Sequence, residues 1–252
     1  MMNIEEPNFH YIDNTPKIRV VIRKRPLSRK ETQKSEIDIV DIRGTQTTVV
    51  RETKTKVDLT KYIEEHAFNF DRAFDTNSTN QQIYLETMRP LIDALFNKAK
   101  VTCFAYGQTG SGKTYTMMGD TSSDPNNMTP GLYLLAAQDI FALLEQPEYQ
   151  HLGVFISFYE IYCSKLHDLL NDRQLLHARE DAKQNVNIVG LSEKRVANVH
   201  SLMQIIDFGN SVRTTASTSA NLDSSRSHAI LQISLKEGNK VFGNVLYRFG
   251  GI

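Results

Sequence analysis

Apolar and polar positions alternate through much of the first third of the chain. Ile18 to Ile22 form a β-branched run that Pro26 stops, a short strand. Segments 36–42 and 46–52 alternate on either side of Gly44, as paired strands do, and 66–74 alternates again with Phe68, Phe70 and Phe74 on one face. From Thr79 to Lys98 the period lengthens. Ile83, Tyr84, Met88, Leu91, Ile92, Leu95 and Phe96 recur at helical spacing, and Pro90 inside that pattern predicts a kink or a fresh helix start. Residues 101–106 are a continuous apolar run that predicts a strand buried on both faces. Downstream, the pattern predicts a helix over 131–146, a long strand with a short helical tail over 152–170, and a strand-like stretch over 186–196. A helix over 201–213 then precedes an alternating strand at 227–236 and a shorter one at 240–247. Helices and strands interleave, which predicts an α/β fold around a central, mainly parallel sheet. No internal repeat interrupts it.

Composition narrows the class. With 40% hydrophobic and 23% charged residues among 252, the chain has the profile of an ordinary globular protein, large enough for one big domain or two small ones. Lysine plus arginine equals aspartate plus glutamate at 29 each, so net charge argues neither for nor against a polyanionic partner and any basic surface is local. The expectation is no nucleic-acid and no membrane partner. Cys103 and Cys163 lie in apolar runs and read as buried, reduced thiols. Residues 1–16 are polar, end at Pro16, and predict a flexible leader without the basic start and apolar block of a signal peptide. No apolar stretch has membrane-spanning length. The expected location is cytoplasmic.

Residues 107–114, Gly-Gln-Thr-Gly-Ser-Gly-Lys-Thr, fit the phosphate-binding pattern G-x-x-x-x-G-K-[ST]. Glycines let backbone N–H groups turn inward around phosphate oxygens, and the following helix adds the positive end of its dipole. Lys113 is placed to reach the β- and γ-phosphates, and the Thr114 hydroxyl to take a place on Mg²⁺. An apolar strand before the loop and a helix-capable stretch after it supply the context the pattern needs. Kinases, GTPases, helicases and motors share this loop, so it does not choose among them. Taken singly, Arg-Lys-Arg-Pro (23–26) is an ordinary strand end and the serine-rich stretch before His228 an ordinary loop, while for Tyr115 a core aromatic is the minority alternative.

Together these stretches resemble one family, the kinesin motor domain. Residues 104–117 (FAYGQTGSGKTYTM) are close to its wording of the phosphate loop, and 221–230 (NLDSSRSHAI) resemble its switch I. Arg-Lys-Arg-Pro at 23–26, Phe-Tyr-Glu-Ile-Tyr at 158–162 and the helix ending at 209–221 fall in the family's order. The resemblance runs from about Ile18 to Gly243 and implies a P-loop NTPase motor domain over 17–243, with helices on both faces of a mixed sheet. It further implies that Arg23, Arg25 and Pro26 border the adenine with Tyr115 stacking on it, and that Gln108, Thr109, Gly110, Ser111, Gly112, Lys113 and Thr114 hold the phosphates of ATP. Thr114 and Ser225 would hold Mg²⁺, Ser224 and Ser225 would approach the γ-phosphate, and Asn221 and Arg226 would arrange the attacking water. The implied partners are tubulin and microtubules, and the implied setting the microtubule cytoskeleton, with the spindle one place for it.

Residues 56–75, beginning Lys56-Val57-Asp58, resemble the internal-motor, microtubule-depolymerising kinesins (the kinesin-13 class), as do 179–191. There a Lys-Val-Asp tripeptide sits at the tip of an extended loop that reaches tubulin. Lys54, Lys56 and Lys61 would add local positive charge suited to acidic tubulin. The implied cycle has ATP-bound motor gripping a curved protofilament end, with the loop stabilising curvature and hydrolysis recycling the motor.

After switch I the family continues with a strand ending Asp-Leu-Ala-Gly-Ser(or Asn)-Glu. Here 240–243 keep register, 244–252 read Asn-Val-Leu-Tyr-Arg-Phe-Gly-Gly-Ile, and the last acidic residue is Glu237. The expectation is a motor domain whose C-terminal part is missing before switch II, ending in a tail that does not match the family. A truncated coding sequence, a fragment and a degenerate motor that binds nucleotide without turnover all remain open. So does a non-catalytic nucleotide- or tubulin-binding module.

Overall fold

The structure, a computed structural model, describes residues 16–120, 129–219 and 227–250. The chain forms two compact units, Ile12–Thr79 and Asn80–Ile252. In the first, β1 (Val21–Arg23) pairs in parallel with β5 (Arg72–Phe74), and β2 (Val40–Arg43), β3 (Thr47–Thr55) and β4 (Lys61–Asn69) form an antiparallel sheet. Gly44, at φ +66°, makes the turn between β2 and β3, as the alternation around it predicts. A short helix α1 (Arg29–Gln33) follows β1. Val49, Ala73 and Phe74 are the buried apolar residues of this small core.

The long β3–β4 hairpin is held by charge as much as by packing. Glu52 and Glu64 face each other across the ladder, an arrangement that repels. Lys54 pairs with both, and His66 Nε2 lies 3.2 Å from Glu52. Arg43 and Arg51 share Glu65, at 2.7 and 3.2 Å. These pairs are exposed and screened by water, so they offset the Glu52–Glu64 repulsion more than they stabilise the hairpin.

The second unit opens with α2 (Asn80–Ile83), a π-helical turn over Tyr84–Met88 and α3 (Arg89–Phe96). Pro90 lies at the start of α3 directly after the π-helical turn, so helical backbone runs on from Asn80 to Phe96 with its bonding pattern changed just before the proline, rather than starting afresh there. Then come β6 (Lys100–Ala105), α4 (Lys113–Met118), α5 (Leu132–Leu144), β7 (Gly153–Tyr162), β8 (Lys165–Asp168), β9 (Leu175–Glu180), β10 (Val186–Val189), β11 (Lys194–Val196), α6 (Val199–Ser219), β12 (Ser227–Glu237) and β13 (Lys240–Gly250). They build one sheet in the order β10-β9-β8-β7-β12-β13-β6, with β11 also on β7.

The sheet is mixed but not mainly parallel: β13 with β6 is its parallel pairing among the described residues, and the other pairs are antiparallel. Tight turns make the β7–β8 and β12–β13 pairs antiparallel, because they join only antiparallel neighbours, while β7 meets β11 and β12 antiparallel across longer connections. Cys163 and Ser164, at φ +48° and +63°, make a two-residue hairpin turn between β7 and β8, where a helical tail was expected. Gly238, at φ +57°, makes the β12–β13 turn. Cys163 is therefore exposed rather than buried. Residues 244–250, read as a non-matching tail, continue β13 in register with β12.

The helices expected on both faces lie, among the described residues, on one. Gly209 of α6 is pressed against Phe158, Tyr133 of α5 meets Tyr247 and Phe249 edge-on at 5.0 and 5.9 Å, and α3 backs onto Gly243. Ile156, Leu231, Ile233 and Val245 fill this layer and are fully buried. Each such side chain contributes roughly 1.5–3 kcal/mol by leaving water. The opposite face holds a smaller cluster of Tyr159, Leu176 and Ile230 with Leu166, Ile188 and Leu246 at its margin. Phe104 of β6 points to that side and is 65% exposed, so β6 is half-buried rather than buried on both faces.

Candidate phosphate-binding site

β6 delivers the chain to the glycine-rich loop, and α4 takes it away. Gly107, Gly110 and Gly112 all have positive φ, at +152°, +81° and +94°, values an L side chain rarely adopts. A Cβ on Gly107 would lie 2.6 Å from Ser111 Oγ and 3.2 Å from Ser111 Cβ, so the Ser111 hydroxyl would have to turn aside. The Ser111 amide donates to Gln108 O at 3.1 Å, and Gln108, Thr109 and Gly110 face solvent. Lys113 bends back over the loop, its Nζ donating to Gly107 O at 2.5 Å and Gln108 O at 2.8 Å. Partial burial lowers its pKa. A cation at the loop's mouth with exposed backbone around it fits a polyphosphate, which would take the lysine from the two carbonyls. The Thr114 side chain is exposed at the start of α4, and Tyr115 is exposed beside it rather than part of the core.

The base of α4 is anchored by residues that no sequence pattern marks. Asn80 is buried, and its Nδ2 donates to Tyr115 O and Pro130 O, both at 3.0 Å. Gly119 and Gly131 pass so close that a Cβ on either would meet backbone at 2.2 Å. Met117 is buried beneath the helix, and Asn210 of α6 reaches Met118 Sδ at 3.5 Å. These contacts hold Lys113 and Thr114 at the end of β6 without touching a ligand.

The structure brings Gln108, Thr109, Gly110, Ser111, Gly112, Lys113, Thr114 and Tyr115 together in one loop and helix start. Arg23, Arg25 and Pro26 stand on the other unit. There Arg23 Nη2 donates to Ser78 O at 3.0 Å, and Arg25 grips Glu31 through both carboxylate oxygens at 2.6 and 2.9 Å. Asn221, Ser224, Ser225 and Arg226 lie outside the described residues.

Lys56, Val57 and Asp58 occupy the turn of the β3–β4 hairpin. The Lys56 amide donates to Thr60 O at 3.0 Å, and Asp58 Oδ1 accepts the Thr60 amide at 3.0 Å, which lowers the Asp58 pKa. Val57 is fully exposed, and Lys56 lies over the Tyr62 ring at 5.8 Å. The charge of Lys54, expected as part of a basic patch, is instead neutralised by Glu64 and Glu52. Among the described residues the one trio of His, Cys, Asp or Glu within common ligand reach is Glu52, Glu64 and His66, and Lys54 bridges its carboxylates.

A strand, a tight glycine loop and a lysine-led helix at the edge of a mixed sheet define a P-loop α/β protein. A family model of the kinesin motor domain matches residues 23–245, and the chain belongs to that family. It is 51% identical over 234 residues to human (Homo sapiens) kinesin-like protein KIF24 and 49% identical over 233 residues to the mouse (Mus musculus) protein of that name. Each match covers 92% of this chain and 17% of the relative, so the chain spans about a sixth of their length. A solved structure described as a fast kinesin, with implications for ATPase mechanism and interactions with microtubules, superposes with a TM-score of 0.76 at 31% identity. That match covers 93% of this chain and 65% of the other.

Proposed function

We propose that this chain binds ATP with Mg²⁺ and hydrolyses it as the nucleotide-handling part of a microtubule motor of the depolymerising kind. The observation that carries this reading is the Gly107–Thr114 loop, closed on itself by three positive-φ glycines and capped by Lys113. When bound, Mg²⁺-ATP supplies the phosphoanhydride that water cleaves to ADP and phosphate. The loop's backbone amides and Lys113 hold the phosphates, and Thr114 is positioned to take a place on the metal. Tyr115 offers an exposed ring to a flat base. Roles for Arg23, Arg25 and Pro26 at the adenine, and for Asn221, Ser224, Ser225 and Arg226 in hydrolysis with Ser225 also on Mg²⁺, belong to the same proposal and rest on family resemblance. Lys56, Val57 and Asp58 at the hairpin tip are proposed as the tubulin contact.

Steady-state ATP hydrolysis by the purified chain, with and without microtubules, tests the reading. Turnover that microtubules or tubulin accelerate is expected. Lys113→Ala removes a charge-assisted contact worth about 1.5–3 kcal/mol and should weaken nucleotide binding by roughly 10–100-fold. Nucleotide binding without turnover would favour the second reading, a non-catalytic nucleotide-binding module. That reading is favoured by β13, which carries no carboxylate from Lys240 to Gly250.

A further inference from the structure

Among the described residues, Asn80, Glu160 and Asp168 are the buried side chains that carry an amide or a carboxylate. Two of them serve the sheet and its connections. Asp168 accepts from the amides of Leu170 at 2.9 Å and Ser192 at 2.7 Å. Glu160 meets Arg173 Nη1 at 2.7 Å, Arg213 Nε at 3.4 Å and the Ser227 hydroxyl. Asn80, 1% exposed, is directed at the phosphate-binding helix instead.

That helix has little of its own to seat it. α4 is six residues long, and Met117 is the side chain it buries. A helix so short does not hold itself in water, so its place comes from tertiary contacts. Asn80 Nδ2 donates at 3.0 Å to Tyr115 O, which also accepts the Gly119 amide at 3.0 Å, and at 3.0 Å to Pro130 O. One carboxamide thus ties the third residue of α4 to the residue before Gly131, the N-cap of α5, and it is itself the first residue of α2. All of these residues belong to the second unit. Without the carboxamide, both carbonyls lose a donor in a part-buried setting, where an unmet carbonyl is costly.

We propose that Asn80 is a positioning residue for nucleotide binding, holding α4 in the seat from which Lys113, Thr114 and Tyr115 meet a nucleotide. This rests on the proposed function. Asn80 acts through Tyr115 O and needs no contact with the ligand. With the tie in place, the competent seat of α4 is the populated one. Without it the helix divides its time among several seats, and apparent affinity falls with the fraction that stays competent. Losing a neutral hydrogen bond shifts such an equilibrium by about 2–10-fold. A residue that only stabilised the fold would behave otherwise: its loss would lower the melting temperature and leave the affinity of the folded chain unchanged.

The test is calorimetric titration of Mg²⁺-ADP into the wild-type chain, Asn80→Ala and Asn80→Asp, each well below its melting temperature. ADP lacks the phosphoryl group whose transfer to water is the proposed reaction, so binding is read apart from turnover. The dissociation constant is expected to rise about 3–10-fold in Asn80→Ala. It should rise at least as much in Asn80→Asp, which keeps the size of the side chain and loses its N–H donors. Saturating ADP should also raise the melting temperature less in either variant than in wild type. A lowered melting temperature with an unchanged dissociation constant overturns the proposal, and so does an Asn80→Asp that binds like wild type. Should neither variant fold, hydrogen exchange of the Asn80 side-chain amide in the wild-type chain decides. By reciprocity ADP should slow that exchange severalfold, and unchanged exchange overturns the proposal. A wild-type chain that binds no ADP overturns the proposed function and this inference with it, whereas equal binding by wild type and variants overturns the inference alone.

Discussion

Gly131 shows how little room surrounds the phosphate-binding helix. A Cβ there would lie 2.2 Å from Met118 C and 2.4 Å from Gly119 N, backbone atoms that have nowhere to go while Gly119 meets Pro130 in an isolated bridge. Gly131→Ala is expected to cost at least about 1–3 kcal/mol, the range for overpacking, read as a lowered denaturant midpoint. Nucleotide affinity should fall with it, because the same contacts seat α4. A variant as stable as wild type would mean that the 119–131 crossing is looser than this geometry. Gly107 and Lys113 announce themselves in the sequence as a motif. Gly131 and Asn80 do not, since their importance comes from segments 12 to 50 residues away.

At the scale of elements, α1 is a short helix whose five residues bury nothing and which depends on its cap. Ser28 accepts the Glu31 amide at 3.3 Å, and Glu31 accepts the Ser28 amide at 2.6 Å while also binding Arg25. Arg25 first, then Ser28, draw the Glu31 pKa down from 4.5 to about 2. A depressed folded-state pKa means stability that is complete above the unfolded value and lost as the acid form fills. The stability difference between wild type and Glu31→Gln should therefore be full above pH 4.5 and vanish as pH falls toward 2, measured by denaturant titration at each pH. Ser28→Ala should cost about 1 kcal/mol. The S-x-x-E signature of this box is legible at residues 28–31 without a structure. The β7–β8 hairpin is less so: Cys163-Ser164 is a poor advertisement for a turn that needs φ above zero twice, and 163–170 reads as readily as helix.

For the molecule as a whole, the β3–β4 hairpin tip carries the most exposed large apolar side chain among the described residues. Val57 is fully exposed, and Lys56 and Asp58 are held by the turn's own hydrogen bonds and by Lys56 lying over the Tyr62 ring. Replacing all three with alanine should leave the melting temperature unchanged and weaken co-sedimentation with tubulin by about tenfold, the scale of one lost 1.4 kcal/mol contact. Unaltered co-sedimentation would remove the tip from the tubulin surface.

Sequence by itself determined the glycine-rich loop between strand and helix, the β2–β3 pairing about Gly44, an irregularity in the helix at Pro90 and the family. These follow from local chemistry: glycine's freedom at positive φ, strand alternation, proline's missing N–H, and motifs short enough to be contiguous. Only the tertiary structure decided that the main sheet is largely antiparallel and that the described helices share one of its faces. It alone gathered Arg173, Arg213 and Ser227 around the buried Glu160 carboxylate. Strand direction depends on turns whose backbone angles no side chain announces. A buried charge cluster depends on strands and a helix that come together only when the sheet closes. No periodicity along the chain records that meeting.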